Sequence, residues 1–411
     1  LLKAGVARVD LTPPLELKSP LGGYGERMNR PAQGVHDRVF AKALVLADSQ
    51  KKFALVTVDI VGFPPPVKRA LVDRLAGEGW TKEQVLLLPS HSHTSIEMNT
   101  INPANTFDVP QIGIYNPRVF DFVIERLARV VQEAQRELVP VCVGTSGIAI
   151  EGWNRNRRGG PEVDTQLTIT RVDLTNGKPL AVLVNFTAHP TFMSAEDMLF
   201  SGDWPGHLQR TLESLIGQRA IAMYYNGAEG DQSPVGRADA GQSRWERAEH
   251  YGRDLGIVAW KQWQATPTQR SVDFAYHLHT IELPERTWHP DFMKTGGAEY
   301  GLSQELLKQM LPRLFPTKAE SICLRLGDLL IVGIPGEMTA SLGLAVKAQA
   351  GRISGAAHPV IGGLADAWLS YILSAAEYRR GGYESSVSFY GETLGETIVS
   401  GVLAGVEQLA R

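Results

Sequence analysis

Cysteine is scarce in this 411-residue sequence: there are two, Cys142 and Cys323, each inside an apolar run (VPVCVG and SICLRL). A multi-disulfide scaffold is therefore excluded. One bridge is chemically open, but nothing in the sequence requires it, and both thiols read as reduced core residues. No apolar run reaches the ~18 residues of a membrane-spanning helix, so no transmembrane segment is expected. Positive charge is not concentrated either. Lys and Arg number 41 against 44 Asp and Glu, for a formal charge of −3, and no basic stripe offers a surface for nucleic acid. Internal repeats, low-complexity tracts and linkers are lacking, which favours one compact domain over residues 1–411. The G-x-S-x-G elbow is missing too, and with it the serine of an ordinary α/β-hydrolase. The first residues are Leu-Leu-Lys without a methionine, compatible with a trimmed or processed start.

What is present is an alternation of β-rich apolar runs with amphipathic stretches. Strands are predicted at residues 53–60, 85–88, 181–186, 220–225, 274–281 and 329–334. Helices are predicted at 65–75, 118–138, 206–215, 243–263, 303–314, 339–350 and 395–409. The clearest helix, 118–138, puts Val119, Val123, Leu127, Val130, Val131 and Ala134 on one stripe. The expected class is α/β, with a mixed or largely parallel β-sheet covered by helices. The Gly/Pro-rich piece 154–161 is expected to be a loop.

Polar residues collect directly after four of the predicted strands. Ser90-His91-Ser92-His93 follows VLLLP, and Thr187-Ala188-His189-Pro190 follows AVLVNF. The stretch 226–234 (NGAEGDQSP) follows AIAMYY, and Pro335-Gly336-Glu337 follows LLIVGI. In open α/β sheets, ligands bind outside the carboxyl ends of strands, so these clusters are expected to share one edge. His91 and His93, two apart on extended chain, point the same way. With His189 and Glu337 they supply the N and O donors that zinc takes, leaving an open position for water. A second H-x-H, His277 and His279 in FAYHLHTIEL, has no partner cluster and reads as the polar face of an alternating strand. Ser233 sits in a glycine-rich turn with Glu229 and Asp231, and needs a base or metal beside it to act as a nucleophile. Tyr371, Tyr378 and Tyr383 can ligate a metal or donate to an oxyanion. The residues alone do not choose among them.

Several pieces, in order, resemble the neutral/alkaline (non-lysosomal) ceramidase family. They are the opening 4–13 (AGVARVDLTP), Gly23-Tyr24, Gly34-Val35-His36-Asp37, Ser90-His91-Ser92-His93-Thr94, and 185–190 (NFTAHP). Then come 201–206 (SGDWPG), Gly230-Asp231-Gln232-Ser233-Pro234 and Pro335-Gly336-Glu337. The resemblance implies an amidase that splits an N-acyl bond with one Zn2+, using metal-activated water and an assisting serine. By position, His91, His189, Glu337 and Tyr371 would be the ligands. His93 and Tyr383 would face the reacting carbonyl, and Ser233 would be the family's serine. Arg155 would contact substrate, with Arg157 nearly as good a match. It also implies a secreted or periplasmic setting, the alternative being cytoplasmic, and a small-molecule or lipid-like substrate. The family's C-terminal immunoglobulin-like domain is expected to be absent, and the segment 94–115 departs in shape. A smaller or more polar N-acyl compound is therefore an alternative to ceramide. Hydrolysis of an ester, lactone or glycosidic bond on the same scaffold, or binding without catalysis, are the competing readings.

Overall fold

The computed structural model describes residues 1–236 and 241–411. Eight strands form the larger sheet. In spatial order they are Ile221–Asn226, Pro179–Phe186, Gln166–Leu174, Val139–Ala149, Lys3–Asp10, Phe40–Ala47, Lys52–Val58 and Val85–Pro89. Only the outermost pair at each end is parallel, and the middle of the sheet is antiparallel. A smaller sheet runs Phe274–Glu282, Lys318–Leu326, Leu329–Gly333, His358–Gly362, with its last pair parallel. The sheet is thus mixed, and the parallel pairs are the ones whose carboxyl ends carry the polar clusters.

Strand alternation decides the layering. Leu44, Leu46, Phe53, Leu55, Leu86 and Leu88 point to one face, where they pack with Ile322, Leu324, Leu329 and Ile331 of the smaller sheet. Their neighbours Ala43, Val45, Ala54, Val56, Val85 and Leu87 point the other way, onto helices Pro65–Leu75 and Pro117–Arg136. Period-two alternation puts successive side chains into two different cores. Helices Asp203–Ile216 and Arg244–Gln264 cover the other half of the large sheet. Gln304–Leu314, Ala340–Ser354 and Leu394–Ala410 cover the outer face of the smaller one. The order is helix, sheet, sheet, helix.

Local signals explain the element ends. Asn116 caps the helix Pro117–Arg136 by accepting from the N–H groups of Arg118 and Val119, with Pro117 in the first turn. Its buried stripe is the one read from the sequence. The helix expected from 206 starts three residues earlier, at Asp203, because Pro205 is tolerated in a first turn. Residues 154–156, expected as loop, form a short strand paired with Gln232–Pro234. Both cysteines are buried and free. His277 and His279 lie half-buried on the edge strand of the smaller sheet, where His279 packs under Gly405 of the last helix. Among the described residues no helix is long and apolar enough to cross a membrane.

Candidate active site

Four chain segments meet at the carboxyl ends of the parallel pairs. The large sheet curls, so that Asn226, at the end of one edge strand, reaches Ser90, just past the other. Its Nδ2 donates to Ser90 O (3.1 Å) and Ala188 O (2.8 Å), and its Oδ1 accepts from Ala188 N and Gly227 N. One fully buried amide therefore clasps the loops that carry His91 and His189.

Each histidine is fixed from behind. His91 has φ +73°, a left-handed conformation that costs a non-glycine residue energy, and its backbone N–H donates to Ile60 O. Its Nδ1 is 2.5 Å from Val61 O, and that of His189 is 3.0 Å from Gln232 O. A carbonyl only accepts, so both Nδ1 atoms carry the proton and both Nε2 atoms present lone pairs. Such outer hydrogen bonds set the tautomer of ligating imidazoles.

Glu337 lies beside Tyr371 because the short parallel pair Glu337–Met338 and Tyr371–Ile372 sets the two in register. Its Oε1 is 3.0 Å from His91 Nε2 and 3.1 Å from His189 Nε2, while Oε2 accepts from Trp368 Nε1 (2.7 Å). A carboxylate facing two lone pairs is repulsive unless a cation or protons lie among them. The groups thus suit a metal ion: His91, His189, Glu229 and Glu337 each offer an atom within 4.8 Å of the others. Burial works against the charge on Glu337, and protons on the facing imidazoles, or a cation in their place, are what hold the carboxyl well below its ordinary range. Burial, then the charge of Arg157, lowers His189 to about 4, so it is neutral and able to ligate at neutral pH. Burial and the Glu337 charge push Glu229 well up.

His93 sits at the rim of this cluster, its Nε2 3.2 Å from that of His91. Burial, followed by the neighbouring imidazoles, keeps it neutral. Arg27 holds its backbone by donating to His93 O, and Tyr24 meets its ring edge-on. Gly23, at φ +101°, passes so close that a Cβ there would come 2.4 Å from His93 Nδ1. The segment 201–204 is scaffold: Ser201 O accepts from Ser92 and Thr94, and Trp204 Nε1 donates to His189 O. Asp37 anchors that segment, accepting from Ser201 Oγ and Gly202 N.

Arg157, not Arg155, enters the site. Its guanidinium donates to Tyr371 Oη (2.8 Å) and to Glu384 (2.7 Å). Arg155 is exposed on the strand paired with Ser233, because alternation along Asn154–Asn156 turns it outward. Ser233 is half-buried, one residue beyond the Gln232 carbonyl that fixes His189. Asp231 is structural: it accepts from Ala340 N and so caps the helix that follows. Tyr383 Oη pairs with Tyr300 Oη (2.9 Å) at a partly exposed position. Tyr378 packs on His289, outside the cluster.

A pocket of about 160 Å3 opens above the cluster. His91, His93, Glu337, Tyr371 and Tyr383 form its polar end, and Leu307, Met310, Leu311, Phe292, Phe315 and Phe389 its apolar walls. Glu97 is the other carboxyl on its wall, raised to about 7 by burial. Sequence reasoning gave no individual role to Asn226, Trp368, Tyr300, Glu97 or Asp37, and named Glu229 only as an acid near Ser233. Isolated polar residues in apolar surroundings carry no periodic signal. Only the placement of Asn226 directly after a buried strand hinted at a role.

Comparison with known proteins shows the family and the fold. The family model for the neutral/alkaline non-lysosomal ceramidase, N-terminal, matches residues 2–242. The chain is 24% identical to the neutral ceramidase of Mycobacterium tuberculosis, an alignment covering 90% of this chain and 71% of that protein. It is 20% identical to the neutral ceramidase of Pseudomonas aeruginosa, over 90% of this chain and 66% of that protein. With neutral ceramidase B of Dictyostelium discoideum the figure is 26%, over 52% of this chain and 33% of the relative. The crystal structure of the Pseudomonas aeruginosa enzyme superposes with a TM-score of 0.83 at 19% identity, covering 100% of this chain and 74% of that one. That likeness shows the shared fold, and the family model, which spans more than half of the chain, shows the kinship. The chain belongs to the neutral/alkaline non-lysosomal ceramidase family.

Proposed function

We propose that this chain is a zinc-dependent amidohydrolase that cleaves an N-acyl bond in a substrate with an apolar acyl group. The observation that carries the reading is the meeting of two imidazole lone pairs and a carboxylate oxygen, 3.0 to 3.1 Å apart, at the polar end of an apolar-walled pocket. The relatives' names as neutral ceramidases support the amide bond. One related crystal structure is described as a ceramidase complexed with C2. The four layers act in this reading as one catalytic domain.

His91, His189, Glu337 and Tyr371 would hold the metal. Bound there, zinc supplies Lewis acidity toward a carbonyl and a bound water whose pKa falls to ~7. The apolar walls bind the acyl group and keep bulk water from the polar end. Tyr383, a phenol protonated at neutral pH and paired with Tyr300, donates a hydrogen bond to the carbonyl oxygen as it gains charge. His93, neutral and at the rim, takes the proton of the attacking group and passes it to the leaving amine. Arg157 orients the Tyr371 oxygen by donating to it. Ser233, beside Gln232, is the assisting serine, and Arg157 takes the place given to Arg155 from the sequence.

The test is metal content by mass spectrometry on the chain and on His189→Ala, followed by hydrolysis of N-acyl amides and matching esters. The expected result is about one zinc per chain, lost in the variant, with amides cleaved and activity removed by chelation. No metal in the purified chain, and none recovered on adding zinc, would overturn the reading.

A further inference from the structure

Glu229 has no place in the ligand set above, yet its carboxyl is fully buried at the same centre. Neither of its oxygens meets a donor group among the described residues, and the side chain it approaches besides His189 is another carboxyl, that of Glu337. Buried carboxyls are ordinarily paired or bound to a metal, because leaving one unmatched is costly. Oε2 lies 3.2 Å from His189 Nε2. That nitrogen cannot donate in the neutral ring, since Nδ1 holds the proton against Gln232 O. The position is built in by the backbone. Gly230 N donates to Met338 O (2.8 Å), and a Cβ on Gly230 would come 2.6 Å from Glu337 O. A side chain at 230 would push the turn away from the strand that carries Glu337, and only glycine lets the two carboxyls share one centre.

We propose that Glu229 is a further protein ligand of the bound metal, joining His91, His189, Glu337 and Tyr371. Two carboxylates balance the charge of a divalent cation, and a second oxygen donor fills a side of the centre that the four-residue set leaves to an unpartnered acid. This rests on the metal-dependent reading of the site. The competing role for Glu229 is a prop, protonated and hydrogen-bonded to Glu337 without touching the metal.

Glu229→Gln and Glu229→Ala separate the two, with His189→Ala as the reference for loss of the centre. Zinc affinity is measured by competition with a chromophoric chelator, and the geometry is read from the visible absorption of the cobalt-substituted protein. Circular dichroism confirms folding, and the isosteric Gln variant carries the test if the Ala variant does not fold. For a direct ligand, affinity in both variants falls further than the roughly 10- to 100-fold that loss of an outer partner costs. The cobalt bands shift as an oxygen ligand is lost or weakened. Unchanged cobalt bands overturn the proposal, whether affinity falls or not, because a prop would leave the coordination intact. A wild-type chain that binds no metal overturns the underlying reading instead, so the two failures are told apart.

Discussion

Asn226→Ala probes how the site is assembled. The side chain is fully buried and makes four hydrogen bonds, to Ser90 O, Ala188 O, Ala188 N and Gly227 N, at 2.8 to 3.3 Å. Truncation orphans two carbonyls and two N–H groups in a dry interior. Each orphan costs about 1–3 kcal/mol, and at the low end of that range four amount to about 4 kcal/mol. Asn226→Asp separates the halves of the clasp: it can still accept from the two N–H groups but turns a carboxylate toward two carbonyls, and is expected to be no more stable than the Ala variant. The measurement is equilibrium urea unfolding at constant metal load, beside zinc affinity by chelator competition. Because the clasp registers the His91 loop against the His189 loop, affinity in Asn226→Ala should fall by about 10- to 100-fold, as for other outer partners of ligands. A loss of under about 1 kcal/mol with unchanged zinc affinity would refute the reasoning, since it would mean that the two loops hold their register without the amide.

Two further perturbations address the pocket and its rim. Burial raises Glu97 from 4.5 to about 7, so it keeps its proton in the folded protein through that interval and charges only above it. The folded state binds the extra proton, so stability is lost as pH rises from 4.5 toward 7. Above pH 7 the pocket wall gains a charge, and KM for apolar acyl substrates should climb, by up to about tenfold per pH unit. Glu97→Gln should flatten that arm of the pH–KM profile, and an unchanged profile would remove Glu97 from the explanation. Gly23→Ala places a Cβ 2.4 Å from His93 Nδ1 at a φ of +101°. It should lower kcat by about 100-fold through misplacement of His93, while zinc content stays at the wild-type value. Loss of the metal together with activity would show instead that Gly23 supports the whole centre.

The two halves of the site differed in how legible they were. His91, His189 and Glu337 were readable because each follows an apolar run that can only be a buried strand, and chemistry gathers at strand ends. Tyr371 was picked out of three tyrosines by resemblance alone. The register of Glu337 with Tyr371, which sets them side by side, is a property of strand pairing between segments 34 residues apart along the chain. Arg155 and Arg157 have the same chemistry at positions of the same parity, and their spacing could not tell them apart. The chain turns after Asn156, and that turn sends Arg157 toward Tyr371 while Arg155 remains in solvent.

Composition, periodicity and motif order were enough to determine an α/β chain with buried strands, helices of known stripe and histidines and a carboxylate at the strand ends. These are local properties, set by which side chains leave water and by where the backbone can turn. Tertiary structure alone decided that the sheet is antiparallel in the middle, and that its curl brings Asn226 from one edge to Ser90 beyond the other. It alone decided that a short parallel pair beyond the smaller sheet supplies Glu337 and Tyr371, and that Glu229 lies without a donor among the atoms that could hold a metal. Those facts depend on distances between residues far apart in sequence. Nothing in a local pattern encodes them, because the energy that fixes them comes from packing two sheets face to face and from satisfying, or leaving unsatisfied, the few polar groups trapped between their ends.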